Sequence, residues 1–223
     1  MGLPILLLFL FLIKGLTLDG AGDGVKAYIG EWSVDETLNA IYNKTGKGFI
    51  VVGIENGGDY RVDEYTPWEN EKYGGGKGAT YVQGVIEGIK AYIDDTYRTK
   101  SSQKNTAMIG SSLGGLISYY AGLKHNDIFG KIGALSPSFW FSDKVVDFTK
   151  ENGKIDNVKL FLLVGEKEGE TMVEDLEKMR KLLIESGFNP SNLQTKIVSD
   201  AEHNETFWKS EFEGVINWLF ELN

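Results

Sequence analysis

The sequence contains no cysteine, and this absence excludes several kinds of chemistry. A chain without thiols forms no disulfide framework, holds no thiolate zinc site and has no cysteine nucleophile. The absence does not decide the cellular compartment, because cysteine-free proteins occur in oxidising and in reducing environments alike. Localisation therefore stays open on this ground, with the cytoplasm preferred.

Positive charge is also scarce. The chain has 23 Lys and Arg against 32 Asp and Glu, which gives a formal net charge of -9, and no stretch is strongly basic. A polyanion is bound by clustered Lys and Arg side chains that displace its counterions. Nucleic acid and anionic membrane surfaces are therefore set aside as partners.

Histidine occurs at two positions, His125 and His203, which lie far apart in the sequence. Because neither belongs to a cluster of residues at metal-ligand spacing, we expect no catalytic metal and no cofactor. The two histidines are instead the candidates for a catalytic base.

Only one long apolar run is present, ILLLFLFLI at residues 5–13. It is shorter than the ~20 residues of a membrane span, so no stable span is expected. A signal peptide, which would direct secretion, should have a basic residue before the run and a small-x-small cleavage site after it, and neither is clear. The alternative, which we favour, is a strand buried on both faces of a parallel sheet, where apolar residues do not alternate with polar ones.

The chain of 223 residues, 42% of them hydrophobic, is long enough for one globular domain over residues 1–223. Runs rich in β-branched residues predict strands at 49–54, 106–109, 131–135, 158–164 and 193–198. Apolar residues recur at helical spacing in two segments, at Val82, Val85, Ile86, Ile89 and Ile93, and at Val173, Leu176, Met179, Leu182 and Leu183. Strands separated by helices predict an α/β fold with a mostly parallel sheet layered by helices.

The stretch IGSSLGGL at residues 109–116 places two serines between a predicted strand and a helix-like segment. Such an abrupt turn is the setting of a nucleophile elbow, whose pattern is Gly-x-Ser-x-Gly. The pattern fits only if Ser112 is central, because Gly110 and Gly114 then flank it. We therefore predict that Ser112 is the nucleophile and Ser111 a neighbour; the alternative is a Gly-rich turn with a capping serine.

A serine nucleophile needs a base, and histidine suits this role at neutral pH. His125 ends the helix that starts at the elbow, roughly 18 Å along its axis, which is too far. His203 follows the last predicted strand and should therefore lie at the carboxyl edge of the sheet, where the elbow also opens. His203 is the predicted base.

The acidic partner of the histidine should follow the serine and precede the histidine in the chain. The strand that ends at Gly165 opens into EKEGE, in which Glu168 is the best placed. Glu166 and Glu170 remain alternatives. The order Ser112, Glu168, His203 is that of an α/β-hydrolase.

Three segments carry a family resemblance: DEYTPW at 63–68, IDDTYRT at 93–99, and IGSSLGGLISYYAGLKHNDIFGKIGALSPSFW at 109–140. With them the chain resembles, from residue 18 onward, the putative-esterase family that contains enterochelin esterases, feruloyl and acetyl-xylan esterases and mycolyltransferases. The resemblance implies the α/β-hydrolase fold, and it implies Ser112, Glu168 and His203 as the catalytic residues. It also implies a sheet trimmed at its N-terminus, because relatives have two or more strands before the Asp-Gly that matches Asp19-Gly20.

Two backbone N–H groups should stabilise the oxyanion of the reaction. One belongs to Leu113, the residue after the nucleophile. The resemblance implies that the second belongs to Ala21, which follows Asp19-Gly20. Trp68 and Trp140 are candidates to line an acyl or sugar pocket.

The expected function is that of a metal-free serine carboxylesterase acting on a small-molecule or glycan ester. The ester could be an acylated sugar, an aromatic-acid ester or a siderophore lactone. Two alternatives stay open: an acyltransferase of the same fold, and a non-catalytic binding protein that keeps the fold. The oligomeric state is not indicated.

Overall fold

The computed structural model describes residues 5–11 and 32–222, and a parallel sheet dominates them. The strands are β1 (Leu6–Phe11), β2 (Phe49–Ile54), β3 (Glu69–Asn70), β4 (Gly74–Gly75), β5 (Thr106–Ser111), β6 (Lys131–Leu135), β7 (Lys159–Gly165) and β8 (Leu193–Val198). Six of them form one sheet in the order β2-β1-β5-β6-β7-β8, with every neighbouring pair parallel. The short strands β3 and β4 pair antiparallel as a separate ribbon.

The helices connect these strands. They are α1 (Val34–Thr45), α2 (Arg61–Tyr65), α3 (Gly78–Gly84), α4 (Ala91–Thr96), α5 (Leu113–Lys124), α6 (Lys144–Asn152), α7 (Met172–Glu185) and α8 (Glu205–Phe220). A π-helical segment, Val85–Lys90, joins α3 to α4, so the predicted helix around Val82 exists but is not a regular α-helix. The predicted α/β architecture is confirmed.

The five predicted strands are all present, with small changes at their ends. The strand predicted at 106–109 continues to Ser111, and the one predicted at 158–164 runs one residue later, from Lys159 to Gly165. Both strands therefore end later than predicted, at the carboxyl edge of the sheet.

The apolar run near the N-terminus forms β1, an interior strand hydrogen-bonded to β2 on one side and to β5 on the other. Leu7 and Phe9 belong to the core on one face of the sheet, and Leu6 and Leu8 to the core on the opposite face. Burial on both faces explains the continuous apolar sequence. The strand interpretation is confirmed for Leu6–Phe11; residues 12 and 13 lie outside the described residues.

Helices cover both faces of the sheet. Helices α3, α5, α6 and α7 supply the core of one face, and α1 and α8 supply the core of the other. Because the strands are parallel, β5, β6, β7 and β8 all end at the same edge. The loops after these four strands carry the polar residues described next.

Candidate active site

Ser112 occupies a strained turn between β5 and α5. Its φ of 58° and ψ of -125° lie in a region that non-glycine residues rarely adopt, so the surroundings must impose the conformation. Its N–H donates to the carbonyl of Leu135 (2.9 Å), and its carbonyl accepts from the N–H groups of Leu116 (3.1 Å) and Ser138 (3.2 Å). The turn is therefore fixed by hydrogen bonds to the neighbouring strand and to the loop that follows it.

The flanking glycines are required by close backbone contacts. A Cβ atom on Gly110 would lie 2.4 Å from the carbonyl oxygen of Gly114. A Cβ atom on Gly115 would lie 2.9 Å from the carbonyl oxygen of Leu135. The glycine pattern of the sequence thus reflects how closely α5 approaches β5 and β6.

The two adjacent serines differ in exposure. Ser111 is buried, and its Oγ has no hydrogen-bond partner within the described residues. Ser112 is partly exposed, and its Oγ lies 3.5 Å from the Oγ of Ser138. Of the two hydroxyls, only that of Ser112 is accessible to a substrate.

Glu168 and His203 are in direct contact. The Oε2 atom of Glu168 lies 2.9 Å from Nδ1 of His203. The other carboxylate oxygen, Oε1, accepts hydrogen bonds from Ser136 Oγ (2.6 Å) and from the N–H of Gly165 (2.8 Å). The Glu168 side chain is fully buried, whereas 35% of the His203 side chain is exposed.

The two other glutamates of the EKEGE segment point elsewhere. Glu166 and Glu170 are both exposed, and within the described residues neither makes a hydrogen bond or an ion pair to His203. Asp200, close to His203 in sequence, pairs with Lys167 at 2.6 Å. Among the carboxylates considered, only Glu168 contacts the imidazole.

Ser136 and Trp208 extend the contacts of Glu168, and sequence reasoning did not identify them. The indole N–H of Trp208 donates to Ser136 Oγ at 2.8 Å, and Ser136 Oγ in turn donates to Glu168. The indole ring also packs edge-on against the His203 ring, with centroids 5.0 Å apart. Ser136 has a positive φ of 46°, a conformation that no local pattern in the sequence indicates.

His125 lies at the opposite end of α5 from Ser112, as predicted from the helix length. Burial lowers its pKa below the usual value for histidine. The structure therefore brings His203, and not His125, to the edge that carries Ser112.

No hydrogen bond joins Ser112 Oγ to His203 within the part of the chain that the structure describes. Contacts between nucleophile and base are often long in the absence of substrate and tighten in the reacting complex. The arrangement leaves Nε2 of His203 available, because Nδ1 faces Glu168.

Leu113 begins α5, so its N–H is among the first-turn donors that have no acceptor within the helix. The positive end of the α5 dipole adds to its suitability as an oxyanion donor. The second predicted donor, Ala21, lies outside the described residues.

The two candidate pocket tryptophans differ in their surroundings. Trp68 packs against Tyr120 and Phe148, with ring centroids 5.9 and 5.3 Å away, as part of the core. Trp140 is 50% exposed and contacts Tyr73, with centroids 6.0 Å apart. Trp140 remains the better candidate for contact with a substrate.

The described residues contain no group of three or more His, Asp or Glu side chains that could hold a metal ion. None of their helices combines the length and the apolar character needed to cross a bilayer.

The six-stranded parallel sheet flanked by helices is that of an α/β-hydrolase. The chain belongs to the family described as "Putative esterase", whose model matches residues 12–219, and the protein is therefore a hydrolase that acts on esters. This confirms the resemblance seen in the sequence.

Similar proteins fit this assignment. The chain is 29% identical over 187 residues to "Uncharacterized protein YbbA" of Bacillus subtilis (strain 168), covering 78% of this chain and 74% of that protein. Its fold is similar to the BES protein from Bacillus cereus, with a TM-score of 0.72, 20% identity and coverage of 97% of this chain and 83% of that one. It is also similar to the enterobactin esterase FES from Shigella flexneri, with a TM-score of 0.71, 16% identity and coverage of 99% and 51%.

Proposed function

We propose that the protein is a serine carboxylesterase that forms an acyl-enzyme on Ser112. The observation that carries the proposal is the buried Glu168 in contact with Nδ1 of His203, at the same sheet edge as the strained, partly exposed Ser112. In a chance contact between a surface glutamate and a surface histidine, we would not expect the carboxylate to be fully buried. Nor would we expect it to accept two further hydrogen bonds, as Glu168 does from Ser136 and Gly165.

The mechanism follows from these contacts. Glu168 accepts the Nδ1–H of His203 and thereby keeps Nε2 unprotonated and able to accept a proton. His203 takes the Ser112 hydroxyl proton as Oγ attacks the ester carbonyl, and the N–H of Leu113 donates to the developing oxyanion. His203 then returns the proton to the leaving alcohol, which breaks the ester bond and leaves Ser112 acylated.

Hydrolysis completes the cycle by the same groups. A water molecule gives a proton to His203 and attacks the acyl carbonyl, and the proton then returns to Ser112 Oγ as the acid departs. The reaction involves no oxidation or reduction, and His203 donates again each proton that it accepts.

The substrate proposal depends on the rim of the site. Trp140 and Tyr73 present exposed aromatic surface, and Trp140 lies two residues after Ser138, whose Oγ is the polar neighbour of Ser112. An aromatic surface stacks on an aromatic acyl group or on a sugar ring. We therefore favour an acylated sugar, an aromatic-acid ester or a siderophore lactone over a simple aliphatic ester.

The decisive experiment is rapid mixing with p-nitrophenyl acetate. We expect a burst of p-nitrophenol followed by steady turnover, and mass spectrometry of the quenched protein should find one acetyl group on Ser112. No release and no adduct would contradict the proposal. Transfer of the acyl group to added methanol in preference to water would instead identify an acyltransferase.

Two further measurements refine the assignment. The value of kcat/KM should rise with pH, because His203 must lose its proton before it can act as the base. A panel of acetylated sugars, ferulate esters and catecholate trilactones, compared by kcat/KM, would separate the three substrate classes.

A further inference from the structure

A cavity lies at the other edge of the sheet from Ser112. This cavity of about 630 Å³ opens where Leu6 begins β1 and Lys131 begins β6, next to the C-terminal end of α8 at Phe220. Ser112, Glu168 and His203 all follow the opposite ends of their strands. The cavity is therefore separate from the esterase site.

The lining of this cavity is strongly basic. It includes five cationic side chains, Lys47, Arg98, Lys100, Lys104 and Lys131, and one acidic side chain, Glu221. The whole chain carries a net charge of -9, so this concentration of positive charge is opposite to the character of the molecule. The cations are separated in the sequence, which is why no basic run revealed them.

Among the described residues, the lining carboxylate of Glu221 balances only part of the positive charge. Within the described residues none of the five cations has an acidic group within ion-pair distance. Glu221, the one acid of the lining, is already engaged by Lys159 at 2.8 Å. The cavity therefore holds a local excess of positive charge.

Two of the five cations have a structural explanation. Lys131 donates to the carbonyl of Leu219 at 2.5 Å and Lys47 donates to that of Glu221 at 3.4 Å, so both contact the negative end of the α8 dipole. The side chains of Arg98, Lys100 and Lys104 make no hydrogen bond or ion pair within the part of the chain described by the structure. These three are exposed, and nothing in the fold requires them to be cationic.

Lys131 shows the electrostatic consequence of the cluster. Burial, followed by repulsion from Lys159, lowers its pKa to about 8. Lys47 contributes further repulsion, whereas Glu221 opposes the shift. An anion in the cavity would relieve this repulsion, so binding and protonation of Lys131 should favour each other.

We propose that this cavity binds a small molecule that carries phosphate groups. Its volume is within the range of small-molecule sites, about 300–1,000 Å³. Several separated cations suit a multiply charged phosphate better than a single carboxylate. Ile5, Leu6 and Phe220 supply an apolar part of the lining for the body of the ligand.

A small ligand is favoured over a macromolecule for an electrostatic reason. A nucleic acid or an anionic membrane would extend beyond the cavity and meet the acidic remainder of the surface, which repels it. A phosphorylated small molecule can be held entirely within the basic lining.

The test measures binding of inorganic pyrophosphate by calorimetry and thermal unfolding, with ionic strength held constant by NaCl. We expect saturable binding to the wild-type protein and a rise in Tm with pyrophosphate concentration. The double variant Lys100→Gln/Lys104→Gln should bind at least tenfold more weakly. The matched control, Lys178→Gln/Lys209→Gln, removes two exposed lysines elsewhere and should bind as the wild type does.

The outcomes distinguish this site from the esterase site. Ser112→Ala should bind pyrophosphate normally, and Lys100→Gln/Lys104→Gln should hydrolyse p-nitrophenyl acetate at the wild-type rate if the esterase proposal holds. The phosphate site would be overturned if the Lys178→Gln/Lys209→Gln control lost as much pyrophosphate affinity as Lys100→Gln/Lys104→Gln. It would also be overturned if the wild-type protein did not bind pyrophosphate. Tighter binding of citrate than of pyrophosphate, or binding only to phosphatidylglycerol vesicles, would overturn the assignment to a small phosphorylated molecule.

Discussion

Glu168 Oε2 lies 2.9 Å from His203 Nδ1, and the carboxylate that makes this contact is fully buried. Its second oxygen is held by Ser136 and by the N–H of Gly165, so both oxygens have defined partners. The pair is consequently held in one geometry by contacts within the protein, which the proposed general base catalysis requires.

The first prediction concerns Glu168→Gln. The glutamine oxygen should occupy the position that accepts from Gly165, which turns the amide NH₂ toward His203 Nδ1 and favours the wrong imidazole tautomer. In serine proteases the analogous change lowers kcat about 10⁴-fold. We expect a loss above roughly a hundredfold in kcat on p-nitrophenyl acetate.

Glu166→Gln and Glu170→Gln are the matched controls, because both glutamates are exposed and are neighbours of Glu168 in the chain. Each should retain more than roughly a tenth of the activity, since neither contacts the imidazole. All three variants should keep the same thermal midpoint within a few degrees. A larger effect at Glu166 would move the acid two residues upstream.

The second prediction separates the adjacent serines. Ser112→Ala should abolish hydrolysis because it removes the proposed nucleophile, whereas Ser111→Ala should keep at least about a tenth of the rate. Ser111 Oγ is buried without a partner within the described residues, so its removal should leave the free energy of unfolding unchanged or slightly increased. Steady-state kinetics and urea unfolding test both statements, and equal activity losses would contradict the elbow assignment.

The third prediction tests the contact from Trp208 through Ser136 to Glu168. Trp208→Phe keeps an aromatic ring but removes the N–H that orients Ser136 Oγ, so kcat should fall by about three- to tenfold with KM unchanged. Trp32→Phe is the control, because the Trp32 indole packs against Trp208 and its N–H has no partner within the described residues. An equal loss of kcat in both variants would indicate a packing effect.

The fourth prediction compares two glycines. Gly110→Ala would place a Cβ 2.4 Å from a backbone oxygen of Gly114, so we expect loss of more than about 3 kcal/mol of stability or failure to fold. Gly84→Ala introduces a Cβ with nothing within 4 Å at a helical position, and it should stabilise the protein by about 0.5–1 kcal/mol. Urea unfolding of the two variants provides the comparison.

The fifth prediction is a pH dependence of stability that depends on Lys131. Its pKa in the folded protein is lowered to about 8 from an ordinary value of 10.5. Between these two pH values the unfolded chain binds more protons than the folded one, so this group makes stability rise with pH and contributes no slope below about 8.

Lys131→Met should remove that rise. We compare the slope of the free energy of unfolding against pH in the wild type and in the variant. The titration of one proton changes this slope by at most about 1.4 kcal/mol per pH unit. The observed difference should be smaller, because Lys131 is partly exposed and solvent screens its charge. Urea unfolding at several pH values from 7 to 10.5 measures it. Parallel curves for the two proteins would contradict the lowered pKa.

Local patterns in the sequence were enough to predict the strands and the sharp turn at Ser112. The uninterrupted apolar run of β1 follows from burial on both faces of the sheet. One core contains Leu7 and Phe9, and the core on the opposite face contains Leu6 and Leu8. The glycines around Ser112 predicted the elbow, because the close approach of helix and strand excludes any Cβ at Gly110. These features depend on residues near one another in the chain.

The sequence favoured Glu168 and left Glu166 and Glu170 open, and the tertiary structure shows which of the three contacts His203. All three glutamates are chemically alike, and the side chain that reaches His203 is decided by the turn after β7, where the N–H groups of Glu166 and Lys167 bond to the segment around Val198 and Ala201. Ser136 and Trp208 were not identified because their roles arise from contacts between residues 72 positions apart.

The sequence by itself was enough to predict the α/β class and the sharp turn at Ser112, because periodicity and a glycine pattern record local backbone constraints. The sequence favoured Glu168 among three candidate acids. Only the tertiary structure shows its contact with His203, and only the tertiary structure shows that one cavity is lined by Lys47, Arg98, Lys100, Lys104 and Lys131. The physical reason is that electrostatic and hydrogen-bond partners are selected by distance in space. Parallel strands bring the starts of β1 and β6 together at one edge and the loops after β5, β6, β7 and β8 together at the other.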